Sequence, residues 1–119
     1  MRENDIGERK VYGYIEGIAS SVIHNRTNER DVALAVEKKA ARQALQRAGI
    51  SPGSVTRIES RNRGLSFWEK AELKGLSSVY EVQQRGGNVS VTSCVPHIGF
   101  LQAASGMIAI VREALTLFL

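Results

Sequence analysis

The sequence predicts an α/β fold, β-α-β-α-β-α, with a mainly parallel three-stranded sheet under helical cover. Three observations carry that expectation: short β-branched segments alternate with longer segments of helical periodicity, turn signals separate them, and the last helix is apolar on nearly every face. The first element is Val11 to Val22, VYGYIEGIASSV, rich in β-branched and aromatic residues and read as a mostly buried strand. Its two internal glycines leave room for a neighbouring backbone or helix to approach closely. The polar stretch from His24 to Glu29 holds Asn25, Thr27 and Asn28, turn and N-cap types, so a helix is expected to begin near Asn28. Val32, Val36, Ala40 and Ala44 recur every fourth residue, joined by Ala41, Leu45 and Ala48, while Lys38, Lys39, Arg42 and Arg47 are left mostly to solvent. Gly49 followed by Ile50 has the form of a left-handed C-terminal cap, and Ser51-Pro52-Gly53 opposes continuation.

Ser54 to Ser60 reads as the second strand. After the polar loop Arg61 to Leu65, Ser66 and Glu69 form a capping-box pattern for a helix running to about Tyr80. Arg85-Gly86-Gly87 is a turn, and Asn88 to Ser93, NVSVTS, alternates as a third strand. Pro96 breaks the chain, and the closing helix runs from about Ala103 to the end.

A chain of 119 residues, 43% apolar and 24% charged, is one ordinary domain with enough apolar content for a core. Cys94 is the single cysteine, which excludes an internal disulfide, and with only His24 and His97 beside it no zinc-type spacing exists. No metal or cofactor site is expected. Met1 to Lys10 is charged and polar, without a signal-peptide core, and the longest apolar run, Met107 to Val111, is too short to span a bilayer, so the cytoplasm is the expected compartment. The net charge of +4 permits an acidic partner, but one Trp, three Tyr and three Phe give little support for a nucleic-acid groove. Gly86-Gly87 opens no phosphate-binding signature. Cys94 and His97, three apart on an extended segment interrupted by proline, do not make a nucleophile pair, and Phe67-Trp68 reads as packing at a helix start.

Two stretches carry a resemblance. Residues 41 to 76, ARQALQRAGISPGSVTRIESRNRGLSFWEKAELKGL, resemble the β-ketoacyl synthase stretch in which a helix and an A-G-hydrophobic-x-P turn precede a strand ending E-A-H-G-T-G-T-P-L-G-D-P-I-E-A. Residues 89 to 116, VSVTSCVPHIGFLQAASGMIAIVREALT, resemble the second stretch, G-S-V-K-S-N-I-G-H-x-x-A-A-A-G followed by a hydrophobic helix. The order is right, and the leading segment from Val11 and the helix from Asn28 fit the start of the same region. The resemblance implies the thiolase-like fold, as a half-domain over residues 11–119 behind a 1–10 extension, from the C-terminal half of a condensing enzyme of fatty-acid or polyketide synthesis.

The departures bear on activity. The resemblance implies a histidine from each of two loops, stabilising the enolate or carbonyl oxygen as a malonyl thioester loses carbon dioxide; those positions here are Arg61 and Phe100. The G-T-G-T positions are Asn62, Arg63, Gly64 and Leu65, the lysine position is Val95 and the asparagine position is His97, while Ile98, Gly99, Ala103, Ala104 and Gly106 keep the scaffold. Losing a donor aimed at developing charge costs about 10² to 10³ in rate. The family's nucleophilic cysteine belongs to the preceding half, and Cys94 does not match it. No catalytic residue is therefore expected. Arg57, Arg61 and Arg63 form a basic cluster, read either as a solvated loop or as a contact for an acidic acyl-carrier protein.

The expected function is a non-catalytic β-ketoacyl synthase-like component, similar to a chain-length factor. The alternatives are a piece of an active multidomain synthase and a basic binding module on the same half-fold. The resemblance also implies five strands ordered 3-2-1-4-5, of which the last two would follow the final helix and are missing here. The first strand would then lie at an open edge, and Met107, Ile110, Leu117 and Phe118 would lack full cover. Self-association or pairing with another synthase chain is expected, with first strands paired antiparallel across a two-fold axis.

Overall fold

A computed structural model describes residues 10–22, 29–60, 66–86, 88–93, 95–99 and 104–118. The described elements run α1 (Glu29–Ala48), a 3₁₀ turn (Pro52–Ser54), β1 (Arg57–Glu59), α2 (Ser66–Val79), a second 3₁₀ turn (Val82–Arg85), β2 (Ser90–Thr92), a one-turn helix α3 (Val95–Ile98) and α4 (Ala104–Phe118).

The α1 helix ends as its sequence requires. Gly49 takes φ 69°, the left-handed conformation that costs glycine no Cβ clash. The N–H of Gly49 then reaches the carbonyl of Gln46 at 3.2 Å and that of Ile50 reaches Leu45 at 3.3 Å, satisfying two terminal acceptors. The α1 helix packs along α2, with Leu34 and Glu37 facing Gly75. Gly75 makes the approach close, since a Cβ there would lie 3.2 Å from Leu34 Cδ1.

The two strands are parallel and paired Arg57 to Ser90, Ile58 to Val91 and Glu59 to Thr92, with α2 in the crossover between them. Hydrogen bonds from Ser90 N–H to Thr56 O (2.9 Å) and from Ser60 N–H to Thr92 O (2.7 Å) continue the ladder at both ends. Period-two alternation puts Ile58 in the core and sends Arg57 and Glu59 to the opposite face. The described core is small: Leu45, Ile58, Val79 and Val95, with Ser60 the buried polar residue among those described.

The sheet has two described strands where three are expected. Residues 11–22 hold no strand; the segment lies across the ends of α1 and α4. A Cβ on Gly17 would run into the carbonyl oxygen of Ala44 and stand 2.9 Å from the Ala48 nitrogen, so the close approach expected at this glycine is made by a helix. Arg47 donates to the carbonyl of Ile18 at 2.5 Å, and Tyr12 meets Phe118 edge to face at 5.2 Å. β-branched and aromatic residues report fitness for a half-buried surface, and here that surface is helical. Pro96 also differs from expectation: it sits in the first turn of α3, where a missing N–H costs nothing, with Ser93 Oγ accepting the Val95 N–H at 3.3 Å.

Candidate functional site

The positions with chemical interest lie along β1 and β2 and on the helix that covers them. On the face of β1 away from Ile58, two residues of opposite charge meet two residues of opposite charge on α4. Arg57 donates from Nε to Glu113 Oε2 at 3.0 Å and from Nη2 to Glu113 Oε1 at 3.2 Å, a bidentate fork. Arg112 donates from Nη1 to both oxygens of Glu59 at 3.1 Å. Thr92, the register partner of Glu59, adds a hydroxyl bond to Glu59 Oε2 at 2.7 Å. The Glu59 side chain is only 6% exposed and that of Arg112 is 32% exposed, so this pair is held largely out of water. The Glu113 carboxylate, through its hydrogen bond and its charge, holds the Arg57 guanidinium above its ordinary pKa.

The four charges fix how α4 lies. Among its residues only Arg112 and Glu113 are charged, and both point at the strand. Adjacent residues on a helix diverge by about 100°, so each reaches a different member of the i, i+2 pair on β1. A helix that spends its charges inward presents its apolar side outward: Met107, Ile110, Val111, Leu115, Leu117 and Phe118 are all exposed, and no residue of α4 is buried.

A second cluster fixes the approach to β1. Arg85 donates from Nη1 to the carbonyls of Pro52 (3.2 Å) and Tyr80 (3.3 Å), and from Nη2 to those of Gly53 (2.8 Å) and Val55 (2.5 Å). One planar fork thus ties the end of α2 to the turn before β1. Gly86, in the left-handed region at φ 60°, closes the turn behind it. Tyr80 is half-buried beside this cluster, and burial raises its phenol pKa.

Of the residues singled out from sequence, Arg57 is described, and it sits on β1, within the segment expected as a strand, with its guanidinium engaged by Glu113. Arg61, Arg63, Phe100 and Cys94 lie outside the described residues. His97 lies on α3. The residues that sequence reasoning passed over are Glu59, Thr92, Arg85, Arg112 and Glu113. A signal for four of the charges was present: Arg57 and Glu59 share one strand face, and Arg112-Glu113 is the only charged point in an otherwise apolar helix.

A parallel strand pair joined through a helix, with an apolar helix held by its charges to the first strand, defines an α/β unit. The chain belongs to the family of the β-ketoacyl synthase C-terminal domain, whose model matches residues 12–118. It is 42% identical over 76 residues, 64% of its length, to a highly reducing polyketide synthase, AFT9-1, of Alternaria alternata. It is also similar to polyketide synthase ThaG of Burkholderia thailandensis, 30% identical over 98% of this chain, and to the orsellinic acid synthase ArmB of Armillaria ostoyae, 25% identical over 98% of it. The chain spans only 2%, 2% and 5% of the lengths of these relatives, respectively. Among the described residues no helix is long and apolar enough to cross a membrane.

Proposed function

We propose that this chain is a non-catalytic β-ketoacyl synthase-related component of polyketide or fatty-acid assembly, acting structurally in the manner of a chain-length factor. The observation that carries the reading is the pair of residues at the histidine positions of the two family motifs, Arg61 and Phe100. Phenylalanine donates no hydrogen bond, and an arginine brings a permanent charge where a neutral imidazole donor is required. The charge lattice between β1 and α4 supports a structural role, because Glu59, Arg112, Arg57 and Glu113 are spent on one another in holding the helix to the strand.

A second reading, a piece of a larger multidomain synthase whose remainder carries the cysteine and the chemistry, is favoured by the small share of each relative that the chain spans. Reading the adjacent coding sequence for a cysteine elbow separates the two. In either case an acidic acyl-carrier protein is the proposed partner of Arg61 and Arg63. Arg57 contributes less, since its fork is committed to Glu113.

The test is carbon dioxide release from malonyl thioesters by the isolated chain. The expected result is the no-enzyme background. Release above background that is lost on substituting Cys94 or His97 overturns the non-catalytic assignment.

A further inference from the structure

We draw no further inference here: the strongest candidate, the surface patch of exposed Tyr14, Ile15 and Ile18 on the segment that crosses α1, where Arg47 bonds the Ile18 carbonyl, carries nothing, because nothing in the structure shows what covers it.

Discussion

Replacing Arg112 by alanine tests the claim that charge, and not apolar packing, holds α4 to the sheet. The substitution removes the guanidinium that bonds both oxygens of a carboxylate only 6% exposed, and leaves Glu59 the Thr92 hydroxyl among its partners. Breaking one side of a buried pair costs about 3 to 5 kcal/mol. Arg112 is itself a third exposed, so water screens part of that interaction, and the retained hydroxyl bond offsets more; a loss of about 2 kcal/mol is expected. At this chain length that corresponds to a fall in Tm of roughly 10 °C. Urea unfolding followed by circular dichroism, at fixed protomer concentration, measures it. The cycle with Glu59→Gln and the double variant isolates the pair, with an expected coupling of about 1 to 2 kcal/mol. An Arg112→Ala chain within about 0.5 kcal/mol of wild type, or a coupling near zero, refutes the reasoning, because α4 would then be held by something other than the lattice.

Other perturbations follow from the same geometry. Arg57→Ala is expected to cost less than Arg112→Ala, and its effect to shrink as salt is raised, since the Arg57 and Glu113 side chains are 33% and 27% exposed; unfolding at low and high salt checks this. Arg85→Lys keeps the charge but loses the planar fork over four carbonyls, and should cost about 1 to 2 kcal/mol with faster amide exchange in residues 52–56. Gly17→Ala places a methyl against the backbone of Ala44 and Ala48, and is expected to lift residues 10–22 off α1 at a cost of about 1 to 3 kcal/mol, seen as raised protease sensitivity in that segment. The phenol of Tyr80 is raised by burial, so above about pH 10 the unfolded chain loses its proton first and stability falls as pH rises through the folded value. Tyr80→Phe should flatten that alkaline decline; an unchanged slope would count against the burial of the hydroxyl.

The local elements were legible in the sequence because their causes are local. The extent of α1 follows from the every-fourth-residue stripe and from Gly49, whose positive φ and the paired bonds from Gly49 and Ile50 depend on residues within one turn. The β1 and β2 segments follow from alternation, and the parallel crossover from the intervening helix. The family resemblance was carried by two motif stretches, and the family match over residues 12–118 bears it out. Tertiary structure alone decided two things. Residues 11–22 have strand composition, but a strand exists only when another backbone completes its ladder; this segment meets the backbone of α1 at Gly17 and the ring of Phe118 instead. The other is the orientation of α4. An apolar helix has no preferred direction until something long-range fixes it, and the partners that do so, Arg57 and Glu59, lie more than fifty residues earlier in the chain, where composition places them no differently from any solvated pair. Their distance in sequence hides them, and their shared face on one strand brings them to Arg112 and Glu113, turning the apolar side of α4 outward.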